Sequence, residues 1–346
     1  MFKMIGRKIV ILVLMCMFLL ASFMPLSLSE IKTDNVAEPQ GAFLSQHNPI
    51  LIVVNDDFTA KNGVIGGDGT ADNPYIIANW NIKMRIIDIL KDTDGMSIKD
   101  TTAFFVIKNC YIHFIDGMLS HVISKKLHSY GSNGINLYNV SNGKIESCRI
   151  KGMAGSINLE NFSNNNLVIN CKCWRNCCGI GINRFSNNNT VEGCETHNYG
   201  CSICLWDNVS YNIVKNCTCR KVPIRIFNSS YNQVSGCNIT HCLEGIDIFN
   251  NSYDNTITGC KFYCNKLGLK IYDDSNNNLI YQNDFIKNRK QVYDECINQW
   301  DNGTHGNYWS NFKDVDGNGD GIWDHPISIP GGDNKDRYPL VNPFRI

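Results

Sequence analysis

From the middle of the chain almost to its end, one phrase returns every 23 residues: asparagine, any residue, Val or Ile, two residues, cysteine. It reads Asn166/Val168/Cys171, Asn189/Val191/Cys194, Asn212/Val214/Cys217, Asn232/Val234/Cys237 and Asn255/Ile257/Cys260. Gly143/Ile145/Cys148 precedes the series and Asn278/Ile280/Asn283 follows it. The last position therefore runs 148, 171, 194, 217, 237, 260, 283, with a single step of 20. A fixed period of this size marks a stacked solenoid, whose repeats bury a core only against their neighbours.

Each repeat opens with an alternating apolar pair: Ile135/Leu137, Ile157/Leu159, Ile203/Leu205, Ile224/Ile226, Ile246/Ile248 and Leu269/Ile271. Alternation of period two, flanked by polar residues, predicts a short strand with one buried face. A polar turn follows, such as Ser163 to Asn166, and then a second strand with the Val/Ile and Cys anchors. A third lies two residues past the cysteine position, at Ile150, Cys173, Thr196, Cys219, Ile239, Phe262 and Phe285. No repeat shows a helical period, and 23 residues are too few for a strand-helix-strand crossover of about 30. The expectation is an all-β fold: a right-handed parallel β-helix solenoid with coils of about 23 residues and a cap at each end.

Coils about 4.8 Å apart set equivalent side chains directly above one another. Asn166, Asn189, Asn212, Asn232, Asn255 and Asn278 are then a structural ladder, passing amide hydrogen bonds between coils to groups that would otherwise be buried unpaired. Cys148, Cys171, Cys194, Cys217, Cys237 and Cys260 fill a narrow interior column as small apolar residues.

The organisation reads as a leader over 1–29, an N-terminal cap with first strands over 30–100, repeats over 101–295 and a C-terminal cap over 296–346. Lys3, Arg7 and Lys8 precede an apolar run from Ile9 to Leu20, and Ser27-Leu28-Ser29 offers a cleavage site near Ser29. Left uncleaved, the run becomes a membrane anchor, the only membrane contact expected. No second stretch reaches the length of a spanning helix, so the rest is expected outside the cytoplasm, secreted or at the cell surface. Lys plus Arg balances Asp plus Glu at 32 each, which gives no electrostatic case for a nucleic-acid partner. The Asn-X-Ser/Thr triplets at Asn139, Asn161, Asn188, Asn208, Asn216, Asn228, Asn238, Asn250 and Asn302 agree with export, though Asn- and Ser-rich turns generate such triplets by composition alone.

The first recognisable coil is expected at Phe104 to Ile112, with Ile107 and Cys110 as anchors, and Met84 to Asp100 as a segment that covers its open edge. Off the cysteine column, Cys173, Cys177, Cys178, Cys201, Cys204, Cys219, Cys242 and Cys264 are better disulfide candidates. Thiolates also select Cu(I) or Zn, and Cys171-X-Cys173, Cys201-X-X-Cys204 and Cys217-X-Cys219 cluster in neighbouring coils. Strands that face a filled interior leave a metal no route in, so copper is not expected. Calcium has a candidate in Asp314, Asp316, Asn318, Asp320 and Asp324, whose alternating oxygens separated by glycines suit a hard cation. His325 stands where an EF-hand needs Glu, and a solvated Asp/Gly turn carries equal weight.

The phrases Phe58-Thr59-Ala60-Lys61-Asn62-Gly63-Val64, Phe105-Val106-Ile107-Lys108-Asn109-Cys110 and Gly306-Asn307-Tyr308-Trp309-Ser310, with the coils between them, resemble the NosD-type β-helix proteins. That family is named for a periplasmic copper-binding protein and is common among exported archaeal proteins. The resemblance implies the fold strongly and an activity weakly. The first expectation is a non-enzymatic binding or structural protein of the cell surface, with polysaccharide or other envelope components as partners and carbohydrate as the ligand class. A polysaccharide lyase or glycoside hydrolase is the alternative. Hydrolysis would need two converging carboxylates, for which Glu244 with Asp247, and Asp273 or Asp274 in the next coil, are the candidates. Copper handling is the third.

Overall fold

The computed structural model describes residues 44–114 and 132–344; the expected leader lies outside them. The all-β, parallel β-helix architecture expected from the period is the observed one. A representative coil runs through Gly155–Glu160 in sheet I, Leu167–Ile169 in sheet II and Lys172–Trp174 in sheet III. The next coil stacks on it in parallel, with Ile157 opposite Ile180, Val168 opposite Val191 and Cys173 opposite Thr196. Among the described residues sheet I runs from Ile50–Ile52 to Lys290–Asp294, sheet II from Val64–Gly66 to Leu279–Tyr281, and sheet III from Ser45–His47 to Tyr308–Trp309.

The alternating pairs point inward. Ile135, Ile157, Ile180, Ile203, Ile224, Ile246 and Leu269 form one column at no more than 1% exposure. Each such side chain contributes about 1.5–3 kcal/mol of transfer free energy. Cys110 and Cys148 through Cys260 form another column, each sulfur lying against the carbonyl two residues earlier, as at Cys148 (3.4 Å) and Cys217 (3.3 Å). At the C-terminal end the filling becomes aromatic: the rings of Phe262, Phe285 and Trp309 stack at 4.7 Å and Trp300 closes the core beside them.

Three bends per coil force the backbone into the left-handed region at fixed places. Asn165, Asn188, Asp254 and Asn277 have φ from 53° to 60°, and Asn170, Gly193, Asn216, Gly236 and Gly259 from 53° to 62°. Gly, Asn and Asp tolerate that conformation best, which explains the Asn-rich repeats. The buried asparagine of each coil then joins the bends. The backbone N–H and Nδ2 of Asn166 both donate to Oδ1 of Asn189 (2.9 and 3.1 Å). The same pair of bonds links Asn189 to Asn212, Asn212 to Asn232, Asn232 to Asn255, Asn255 to Asn278 and Asn278 to Asn298. The 20-residue step leaves this ladder unbroken: two of the residues it lacks come out of the bend between sheets III and I, and the third comes out of the sheet I–II bend ahead of Ser229, before the asparagine is reached.

Two further ladders were not anticipated. Ser163 donates its N–H to Ser186 Oγ (3.1 Å), and Ser229, Ser252 and Ser275 repeat the contact. At the bend between sheets III and I, Asn176 donates to Asn198, and Asn265 accepts from the Cys242 N–H. The cysteine column ends in polar rungs: the N–H of Cys260 donates to Asn283, that of Asn283 to Asn307, and that of Asn307 to Asp336.

The stack also begins earlier than the repeat boundary at 101. Tyr75–Ala78, Trp80–Met84 and Met96–Thr101 lie in parallel register with Phe105–Lys108, Tyr111–Phe114 and Asn133–Val140. The segment expected to cover the Phe104 coil holds a one-turn helix, Ile86–Leu90, and the strand Met96–Thr101 of an earlier coil. Its longer bend breaks the 23-residue period and hides the coil from the repeat. The antiparallel strand Val64–Gly66 covers the open edge of sheet II at this end, and the hairpin Ile327–Ser328/Lys335–Asp336 belongs to the C-terminal cap.

Replacing Asn189 by Ala should strand buried partners in two coils, among them the Asn166 N–H and the Ser163 carbonyl, which accepts from Asn189 Nδ2 at 2.8 Å. Denaturant unfolding should show a loss of about 2–4 kcal/mol; a loss under about 0.5 kcal/mol, the size of an ordinary surface change, would contradict the ladder.

Candidate functional site

Residues between and just after the inward pairs face outward on sheet I. In register they give one column of Asn136, Asn158, Gly181, Cys204, Arg225, Asp247, Lys270 and Tyr293. Beside it run Trp206, Phe227 and Phe249, with Tyr272 just past the end of its strand. The rings form a continuous row: Trp206 to Phe227 at 4.0 Å, Phe227 to Phe249 at 5.1 Å and Phe249 to Tyr272 at 5.1 Å.

The charged column centres on Asp247. Only 2% of this residue is exposed, and its Oδ1 is buried without a hydrogen-bond partner. Arg225 Nε lies 3.5 Å from Oδ2, with more than a third of the arginine side chain open to solvent. Burial, and then the neighbouring Glu244 carboxylate, push Asp247 up to about 7 against the opposing pull of Arg225 and Lys270. Lys270 Nζ sits 3.8 Å from the centre of the Tyr272 ring. Burial, with the charges of Asp247 and Glu244, raises the Tyr272 hydroxyl to about 12. The face thus presents two cations, a pair of interacting carboxyls and an apolar wall.

Of the hydrolytic candidates, the structure brings together Glu244 and Asp247 on the strand Glu244–Phe249. Asp273 and Asp274 lie instead in the exposed bend after the next strand, in left-handed conformations (φ 52° and 55°) that suit a turn. Arg225, Lys270 and the aromatic row escaped the sequence reading. Their signal was positional: each falls between or directly after an inward pair, as in Ile224-Arg225-Ile226-Phe227.

The Asp/Gly segment does not assemble a coordination shell. Asp314 accepts the His325 N–H (3.0 Å) and lies 2.7 Å from its Nδ1, and this contact holds the Asp314 carboxyl below its usual range. Asp316 accepts the N–H groups of Asp320 and Gly321, Asp324 that of Gly317, and Asp320 that of Ile322 together with the Asn318 amide. The oxygens close turns of their own backbone. Among the described residues no group of three or more His, Cys, Asp or Glu side chains is placed to hold a metal ion.

The off-column cysteines do not form the expected disulfides. Cys173, Cys178, Cys201, Cys204, Cys219, Cys242 and Cys264 are free thiols, and Cys177 is buried against Cys178. Cys173 and Cys219 point into the core, where burial raises them to about 12 and keeps them protonated. Copper, which the resemblance to NosD-type proteins raises, would need thiolates gathered at an accessible place. The column thiols instead sit inside the solenoid against backbone carbonyls; Cys178, Cys201 and Cys204 neighbour one another on sheet I, but no group of three or more side chains among the described residues is placed to hold a metal ion.

Asp247 makes the face sensitive to pH. Its folded-state proton is held up to about pH 7, whereas the unfolded carboxyl releases it near pH 4, as an ordinary aspartate does (about 3.9). Its contribution to stability is therefore full below about pH 4 and declines as the pH rises to about 7. Burial also raises Asp94, Asp284 and Asp336, each to about 6, so the wild type has to be compared with Asp247→Asn. The stability of the variant relative to wild type should rise by on the order of 2–4 kcal/mol between pH 4 and 8 in urea titrations; a difference independent of pH would contradict the assignment.

The fold is similar to that of the A-module of mannuronan C-5 epimerase AlgE4 from Azotobacter vinelandii (TM-score 0.42, 11% identity, 67% of this chain and 77% of that one). It is also similar to an alginate lyase from Paenibacillus sp. (0.30, 10%, 76% and 98%) and an exopolygalacturonase from Thermotoga maritima (0.29, 9%, 75% and 80%). No curated protein sequence matches the chain significantly. Among the described residues no helix is long and apolar enough to cross a membrane. A family model described as periplasmic copper-binding protein (NosD) matches residues 118–314, more than half of the 346. The chain belongs to the NosD family.

Proposed function

We propose that the protein is an exported, non-enzymatic β-helix that binds an acidic polysaccharide along the outer face of sheet I. The observation that carries this reading is the outward column in which Arg225 and Lys270 flank Asp247, with the aromatic row from Trp206 to Tyr272 beside it. Carboxylate or sulfate groups on the polysaccharide meet Arg225 and Lys270 through charge-assisted hydrogen bonds, and pyranose C–H surfaces pack against the aromatic wall. The columns run along the solenoid axis, one residue for each coil of about 4.8 Å, so an extended polymer suits the face better than a compact ligand. The leader read in the sequence and the periplasmic description of the family both support export.

Glycoside hydrolysis has one observation in its favour. Glu244 and Asp247 are a carboxyl pair in which Asp247 keeps its proton near neutrality, the division of roles that acid and base catalysis uses. Binding is the better reading, because an acid exposed by only 2% does not reach a glycosidic oxygen on a bound chain.

Calorimetry of the mature protein with polygalacturonate should give saturable binding that weakens with salt. Lys270→Gln should raise Kd at least tenfold, or about 1.4 kcal/mol, with an unchanged unfolding midpoint. Unaltered affinity in that variant, or release of reducing ends from the polymer, would overturn the proposal.

A further inference from the structure

The bend between sheets I and II carries a second surface, away from the charged column. Two outward positions recur there, each with left-handed backbone. One is held by Phe162, Phe185, Asn208, Asn251 and Asp274 (φ 66°, 62°, 58°, 57° and 55°). The other is held by Asn165, Asn188, Tyr211, Tyr231, Asp254 and Asn277 (φ 57°, 57°, 57°, 59°, 53° and 60°). Asparagine and aspartate are what such positions favour, and most coils use them. Four consecutive coils depart from the rule, each by one aromatic residue: Phe162, Phe185, Tyr211, Tyr231.

These rings are 54%, 47%, 59% and 53% exposed, so burial does not explain them. They pair by stacking, Phe162 with Phe185 at 5.4 Å and Tyr211 with Tyr231 at 5.5 Å. A bulky residue at positive φ is a backbone outlier, and here the outlier coincides with exposed apolar surface. The same columns fold with Asn or Asp in neighbouring coils, so the solenoid does not require the rings. Local rules broken twice at the same positions point to a function there.

The rings form two stacked pairs in neighbouring columns and together span three coil steps, roughly 14 Å. Between the ring columns lie polar groups such as Asn187, whose Oδ1 accepts from the N–H and Oγ of Ser210 (2.7 and 3.2 Å). The nearby Arg184 is engaged by Glu160 at 3.4 Å. Half-exposed aromatics offer about 100 Å² each, a total near half of the roughly 800 Å² per partner that a stable dimer buries. Two offset pairs of rings with interspersed amides and hydroxyls suit a single extended chain, and the Asp254 carboxylate against Tyr231 disfavours an acidic one.

We propose that this bend is a platform for a neutral polysaccharide strand lying along the solenoid axis, its sugar rings packed on Phe162, Phe185, Tyr211 and Tyr231. The platform shares the carbohydrate reading of the protein but not the sheet I face, and it takes a chain without charge. Replacing all four residues by Asn tests it cleanly, since Asn occupies the same columns elsewhere and relieves the backbone. Full-length wild type, the fourfold Asn variant and Lys270→Gln are titrated with soluble β-glucan, mannan and xylan, and separately with polygalacturonate. The expected result is that at least one neutral polymer binds wild type, that the fourfold variant binds it at least tenfold more weakly, and that its unfolding midpoint is unchanged or raised. In the same set, polygalacturonate affinity is kept by the fourfold variant. The platform is overturned if the fourfold variant keeps wild-type affinity for the neutral polymer, or if no neutral polymer binds wild type. Loss of polygalacturonate binding in Lys270→Gln alongside either outcome leaves the sheet I proposal standing. A fourfold variant that loses the neutral polymer while Lys270→Gln binds polygalacturonate normally supports the platform and removes the sheet I proposal.

Discussion

A chain that winds one coil about every 4.8 Å meets the same difficulty on each turn: the bend groups that face inward have to be hydrogen-bonded without water. The pair of hydrogen bonds from each asparagine to the next coil's Oδ1 meets it, from Asn166 through Asn298. Because each rung satisfies its neighbour as well as itself, the coils hold one register and the sheets follow. The thiol column depends on that register too. A residue of cysteine's size suits a place where a side chain from every coil converges and a backbone carbonyl waits about 3.4 Å away.

Once the interior is fixed in this way, the exterior is free to vary, and the protein's chemistry lies there. Sheet I turns every second residue outward, so three coils suffice to line up Arg225, Asp247 and Lys270. Rigid stacking keeps Asp247 in place although its Oδ1 lacks a partner and burial opposes its charge. The cost falls on one residue, and the surrounding columns carry it. Its carboxyl gives the face a change of charge close to neutral pH.

What the sequence disclosed follows the same division. Interior positions repeat because every coil imposes the same demand, so the asparagine and cysteine columns and the inward pairs were legible at fixed spacing. Ser163, Ser186, Ser229, Ser252 and Ser275 share that spacing, but serine in a polar bend is unremarkable by composition and marks only a turn. The ladder of Asn176, Asn198, Asn265 and Asn288 was hidden by the shortened coil between its halves. The N-terminal coil was hidden by the longer bend that holds Ile86–Leu90. Arg225 and Lys270 could not be singled out because outward positions obey no repeat. In the segment from Asp314 to Asp324 the sequence specifies oxygens and glycines, but whether those oxygens take backbone N–H groups or a cation depends on the folded path of the loop. Here they take the N–H groups.

Native-state hydrogen exchange tests the central claim most directly, because it reads the backbone N–H groups that the ladder engages. The N–H groups of Asn166, Asn189, Asn212, Asn232 and Asn255 should be among the slowest in the protein, exchanging only through global unfolding and with one common free energy of opening. Exchange at these five positions as fast as in the exposed segment from Asp314 to Asp324 would show that the ladder does not hold the coils together.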